Sequence, residues 1–309
     1  MQVETAQEVA RRLSALGPSP SLVTPVRRLP PRPNPAALAS RLMAIGIITG
    51  SGTYALPGFE ASELVEHRTP YGDAAITMGA YAGVSALHVS RHGAGHVRLS
   101  NHVTHRANIW ALRDLGATAV VGCTACGAVD PTVELGSLVV FDDLHFISNR
   151  LPDGSMCTFF SEPGDFARGH WILHGGPFSE GLRAVLVAAA HETGHGARDG
   201  GTYGHVDGPR FNTPTEIAQL AGCGVTAVSQ TGGPEVVLCG ELELPYALMG
   251  FATDYANEVV PGEPTPVATL IELMGRSTPI FADVLRAALP RIAAEPPSAA
   301  GTVYRFEQG

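Results

Sequence analysis

Residues Tyr246 to Asn257, YALMGFATDYAN, constrain the fold more than any other stretch of the chain. Ala247 to Ala252 is uncharged, mostly apolar and of strand length, without the polar alternation of a strand that has one wet face. Such a run reads as a strand buried on both faces, as in a parallel α/β sheet. It stops at Thr253-Asp254. Ligands of open α/β sheets bind just beyond the carboxyl ends of strands, so a carboxylate there is a candidate for gripping a ligand or moving a proton. The alternative is that Asp254 caps a following helix or turn.

Other strand ends carry chemistry too. Ile45 to Ile48 is a strand ending in Gly50-Ser51-Gly52, a turn able to present N–H groups and a hydroxyl to an anion. Gly50-x-Gly52-x-x-Ala55 matches a dinucleotide fingerprint, but Pro57-Gly58 breaks the helix that must receive the pyrophosphate, so a single phosphate is favoured. Leu64 to Arg68 and Ala75 to Met78 are short strands. Ser85 to Ser90 is another, delivering Arg91-His92-Gly93, and a guanidinium fork suits phosphate oxygens.

Asn101 to Gly116 has helical periodicity. Thr118 to Gly122 is then a buried strand ending in Cys123-Thr124-Ala125-Cys126-Gly127, with Leu138 to Phe141 a further strand and Asp142 to Gly169 a long irregular loop. Leu182 to Thr193 and Thr215 to Ala221 are helices, and Asp207 to Phe211 a turn between them. Val225 to Val228 is a strand followed by Ser229-Gln230-Thr231-Gly232-Gly233. Pro234 to Cys239 is a helix begun at proline, and Pro266 to Arg291 is helical with a possible kink near Pro279. Strands alternating with helices make this an α/β fold, one domain with a mixed central sheet flanked by helices.

Composition narrows the function. The 309 residues are 45% hydrophobic and only 16% charged, which excludes a disordered chain. The formal net charge is −9 with no lysine, and without a long basic stripe nucleic acid is disfavoured as a partner. No apolar run is long enough to span a bilayer. The five cysteines are an odd number spread along the chain, which fits a reducing, cytoplasmic setting. Cys123-Thr-Ala-Cys126 has no second pair to build a metal site and reads as buried structural thiols, so no metal is expected. Residues 1–42 are proline- and arginine-rich and read as a poorly ordered extension, with the compact domain at 43–309.

Taken together, IGIITGSG (45–52), TPYG (69–72), SRHGAGH (90–96), ANIWAL (107–112), TACG (124–127), GPRF (208–211), GPEVVL (233–238) and ATDY (252–255) resemble the nucleoside phosphorylase family, most closely its methylthioadenosine-cleaving branch. The family uses inorganic phosphate as co-substrate, without a cofactor, to cleave an N-glycosidic bond. The resemblance implies that Ser51, Arg91, His92, Thr124 and Thr231, with the Ala125 N–H, hold phosphate. By the same resemblance Cys126, Gly127, Phe211, Asn212 and Gln230 line the base and sugar pocket, and Asp254 faces N7 and the 6-substituent of a purine. It also implies a homotrimer with sites near subunit boundaries.

Asp254 and Asn212 stand where relatives acting on 6-oxopurines and guanine have Asn and Glu, which points to adenine, because a carboxylate accepts from a 6-amino group. Val267, where 5′-hydroxyl relatives have His, forms with Leu270 and Ile271 an apolar wall suited to a methylthio or other apolar 5′ group. Ala256 replaces a second aspartate of the methylthioadenosine branch, and Gln230 replaces a methionine that packs under the ribose. The match is weak over 145–175, where Trp171 is the candidate for a residue lent by a neighbouring subunit. The expected activity is phosphorolysis of a 5′-deoxy-5′-substituted adenosine. Alternatives are a 6-oxopurine phosphorylase, a nucleoside-binding protein without turnover, and, more distantly, a dehydrogenase.

Overall fold

The computed structural model describes residues 43–161, 169–260 and 265–305. The extension expected at 1–42 and part of the 142–169 loop lie outside them. In chain order come β1 (Ala44–Thr49), β2 (Glu60–Thr69), β3 (Gly72–Tyr81), β4 (Val84–Ser90), α1 (His105–Asp114), β5 (Ala117–Ala128), β6 (Leu138–Val140), β7 (Asp143–His145) and β8 (Gly169–Ile172). They are followed by α2 (Glu180–Glu192), β9 (Arg198–Asp199), β10 (Thr202–His205), α3 (Pro214–Gly222), β11 (Val225–Ser229), α4 (Gly232–Glu241), β12 (Tyr246–Tyr255), α5 (Val267–Ala294) and β13 (Thr302–Arg305).

Among the described residues an 11-stranded mixed sheet, branched at β5, forms the centre. The first part of β5 runs parallel to β1 and β12, and its far end pairs antiparallel with β11. The strand expected at Thr118 to Gly122 therefore continues through the whole CTACG segment, because each of these residues finds a partner on β12. β12 also outruns its expected end. It passes through Asp254 to Tyr255, with a register shift between Ala252 and Asp254, and among the described residues no helix follows that Asp254 could cap.

Alternation along these strands explains the two covered faces. Ile45, Ile47, Val121, Cys123, Ala247, Met249 and Phe251 pack with Leu182 and Leu186 of α2 and with Phe281, Leu285 and Leu289 of α5. On the opposite face the bare Gly46 lets Leu112 of α1 approach, and Leu248 lies against Gly232 at the start of α4. α5 continues through Pro279 and Pro290. α1 starts at His105, later than the periodicity suggested, after a short 3₁₀ turn at Ser100–His102. In α4, Pro234 sits in the first turn behind Gly232 and Gly233, where a helical N–H has no intrahelical partner to lose. Among the described residues no helix is long and apolar enough to cross a membrane.

Candidate active site

The parallel strands β1, β5 and β12 end towards one edge of the sheet, where the end of β11, antiparallel to β5, meets the last residues of β5. A cavity of about 330 Å³ opens there. Its wall includes Ser51, His92, Thr124, Ala125, Cys126, Gly127, Phe211, Asn212, Gln230, Thr231, Asp254 and Leu270. Residues drawn from positions 51 to 270 of the sequence thus face one space.

The hydroxyl-bearing part suits an anion. Ser51 leads into Gly52, whose φ of +86° and close approach to the Met274 carbonyl leave no room for a side chain. Thr278 Oγ1 donates to the Gly52 carbonyl at 3.0 Å and fixes this turn to α5. Thr231 is the N-cap of α4 but makes no side-chain capping bond, which leaves its hydroxyl to the cavity. The Gly232 and Gly233 N–H groups behind it donate to Tyr203 Oη and His205 Nδ1, at 3.0 and 3.4 Å. Thr124 Oγ1 and Ser229 Oγ are 3.2 Å apart across the β5–β11 junction.

His92 is neutral. Burial lowers its pKa to about 4, and its Nδ1–H donates to the Arg98 carbonyl at 2.8 Å. Nε2 consequently carries a lone pair and is free to accept a hydrogen bond. His96 stacks on His92 with ring centroids 4.4 Å apart and meets Tyr54 Oη through Nδ1 at 3.0 Å.

Arg91 departs from the sequence expectation. Its guanidinium does not line the cavity: Nε and Nη2 donate to Glu235, and Nη1 donates to the Cys123 carbonyl at 2.6 Å. The reason is burial. A cation that is 0% exposed needs a counter-ion, and Glu235 at the start of α4 provides it.

Asp254 occupies the other part of the cavity. Thr253 Oγ1 donates to its Oδ1 at 2.7 Å, and burial raises its pKa in spite of that bond. Gly127 makes room for the carboxylate, since a Cβ there would lie 3.2 Å from Oδ2. The acid is thus positioned, water-poor and more readily protonated than an ordinary aspartate. Cys123 and Cys126 are buried thiols with pKa values raised by burial, to about 12 for Cys123, and Cys126 also faces the cavity.

Phe211 is 71% exposed at the rim. The apolar wall expected from α5 is only partly present within one chain. Leu270 and Met274 line the cavity, whereas Val267 and Ile271 are 72% and 63% exposed and lie outside it. Residue-by-residue rotation along α5 accounts for this: Leu273, Ser277 and Phe281 take the inner stripe, which turns 267 and 271 outward. Trp171 is likewise outside the cavity, packed on Gly240 with Nε1 donating to Ala300. Residues not singled out from sequence also line the site, namely His96, Ser100, Ser229, Asn257 and Met274. His96, Ser229 and Asn257 lie inside segments already noted; Ser100 and Met274 carry no local signal.

The chain resembles known proteins over most of its length. A family model described as the phosphorylase superfamily matches residues 44–290. The chain is 36% identical over 253 residues to an S-methyl-5′-thioadenosine phosphorylase of Mycobacterium tuberculosis, covering 81% of this chain and 90% of that protein. It is 34% identical over 254 residues to a probable 6-oxopurine nucleoside phosphorylase of Dictyoglomus turgidum, with 82% and 93% covered. Methylthioadenosine phosphorylase of Schistosoma mansoni in complex with adenine superposes with a TM-score of 0.73 at 27% identity, over 82% of this chain and 93% of that one.

Proposed function

The chain belongs to the phosphorylase superfamily, and from that premise we propose that it catalyses phosphorolysis of a 5′-deoxy-5′-substituted adenosine such as 5′-methylthioadenosine, releasing adenine and a sugar 1-phosphate. The observation that carries this reading is Asp254, a half-buried carboxyl anchored by Thr253 beside the bare backbone of Gly127, in the same cavity as the hydroxyls of Ser51, Thr124 and Thr231.

In this reading a phosphate oxygen attacks C1′ of the sugar while the C1′–N9 bond breaks and its electron pair passes to the purine. Asp254 donates a proton to N7 and takes up the charge that the leaving base would otherwise carry. A positioned acid of this kind contributes roughly 10²–10⁴-fold. The raised pKa of Asp254 supports the role, since more of it is protonated near neutrality. Once ionised, the same carboxylate accepts from a 6-amino group. Inorganic phosphate is the co-substrate, held by Ser51, His92, Thr124, Thr231 and the Ala125 N–H, and no cofactor enters the reaction.

The assembly we favour is a cytoplasmic homotrimer. The exposed Val267 and Ile271 beside Leu270 support it, because a second copy covering them would complete an apolar 5′ wall. A 6-oxopurine substrate is the second reading, favoured by the same raised pKa: a protonated Asp254 can donate to a 6-oxo group. Base release measured with and without phosphate, over a panel of 5′-substituted adenosines and inosines, tests both. Preference for 5′-methylthioadenosine supports the first reading, preference for inosines the second, and binding without release removes both.

A further inference from the structure

The loop between β10 and α3 carries Phe211 to the rim, and the two residues flanking it are each tied at both side chain and carbonyl. Their side chains both bond Glu216. Arg210 donates to both carboxylate oxygens of Glu216 at 2.7 and 2.8 Å, and Asn212 Nδ2 donates to Glu216 Oε2 at 3.1 Å. Their carbonyls each accept from an amide side chain just past a strand end. Gln230 Nε2, just past β11, donates to the Arg210 carbonyl at 3.0 Å. Asn257 Nδ2, just past β12, donates to the Asn212 carbonyl.

The other end of Gln230 is engaged as well, its Oε1 accepting from Ser100 Oγ at 2.8 Å. Gly208 makes this possible, because a Cβ at that position would collide with both the Gln230 amide and Ser100 Oγ. Gln230 is therefore satisfied at both ends by protein groups, which suits a strut better than a sugar ligand.

We propose that Gln230 and Asn257 are positioning residues that clamp the Phe211 loop to the strand ends bearing Thr231 and Asp254. The proposal rests on the purine nucleoside reading. Asn257 shares a short segment with Asp254, so the clamp fixes the offset between the aromatic ring that covers a base and the carboxyl that protonates it. Holding the loop in place before binding also reduces the ordering cost of closing it over a ligand. An amide is required at each point, since a carboxylate would set like dipoles against a carbonyl and an alkyl group would donate nothing.

The test uses the full chain and the variants Gln230→Met, Gln230→Glu and Asn257→Asp. Hydrogen exchange over 208–213 in the ligand-free protein should rise severalfold in each. Adenine affinity and the nucleoside KM should weaken by about fivefold, the worth of one hydrogen bond, while the phosphate KM stays within about twofold. Unchanged exchange over 208–213 overturns the clamp. Faster exchange with unchanged adenine affinity, or an equal loss for phosphate, overturns its positioning role. A wild type that binds no adenine removes the nucleoside reading instead, and the exchange comparison still decides whether the clamp exists.

Discussion

Arg91 and Glu235 form a two-pronged ion pair sealed from solvent, Nε to Oε1 at 2.5 Å and Nη2 to Oε2 at 2.8 Å, with side chains 0% and 2% exposed. Tyr246 Oη donates to the same carboxylate at 2.7 Å. The pair thus joins the turn after β4, the first turn of α4 and the start of β12 beneath the site. Burial alone disfavours the Arg91 cation; Glu235 outweighs it and keeps Arg91 charged.

Removing one partner should be costly. Glu235→Ala leaves a buried guanidinium without a counter-ion, and such losses run to about 3–5 kcal/mol. Denaturant unfolding measures it. A loss below about 1 kcal/mol would show that the pair does not support the fold.

Asp254→Asn should depress turnover of adenine nucleosides by roughly 10²-fold or more, with residual activity shifted towards inosine-type substrates. The pH profile carries the same information. Because the acid form is the donor and its pKa is raised, wild-type turnover should fall as pH rises through that pKa, and the variant should lose this limb. Identical profiles would exclude Asp254 as the proton donor.

Glu241, 7% exposed, makes stability depend on pH. Burial raises its pKa from 4.5 to about 7, opposed by donors from Thr158 Oγ1 and the Phe159 N–H, both at 2.6 Å. A carboxyl whose folded pKa is raised contributes stability that is full below 4.5 and lost as pH rises through about 7. The contribution is at most about 3 kcal/mol. Thermal unfolding of wild type should weaken over this window relative to Glu241→Gln. Parallel pH curves for the two proteins would contradict it.

The outward pair on α5 gives a prediction about assembly. Val267→Glu with Ile271→Glu should lower the mass seen by light scattering if a second copy covers them, since burying unpaired charges is prohibitive. Leu270→Gln, by contrast, changes the cavity itself and should move the preference from 5′-methylthioadenosine towards adenosine by about tenfold. Wild type already monomeric in solution would discard the assembly, while an unmoved substrate ratio in Leu270→Gln would discard the 5′ wall.

What the sequence determined by itself was local. An unbroken apolar run forces a strand buried on both faces, so the buried body of β12 follows from Ala247 to Ala252 alone, although its pairing with β5 carries it on through Asp254 to Tyr255. Gly-rich turns and hydroxyls after strands likewise single out candidate polar positions, and Ser51, His92, Thr124 and Thr231 do meet at one cavity. Tertiary structure decided everything that depends on a distant partner. Arg91 looks free in the sequence because Glu235 is 144 residues away, and only folding brings that carboxylate beside it. Gln230 and Asn257 have no periodicity to betray them; their roles come from carbonyls of a loop that merely passes near. The side of α5 that faces the site was also undetermined, because helical spacing groups Val267, Leu270 and Ile271 without saying which of them the sheet edge will meet. Backbone patterning is set by neighbours in the chain, whereas a polar side chain pairs with whatever group burial leaves within reach, and that is fixed only when the strands assemble.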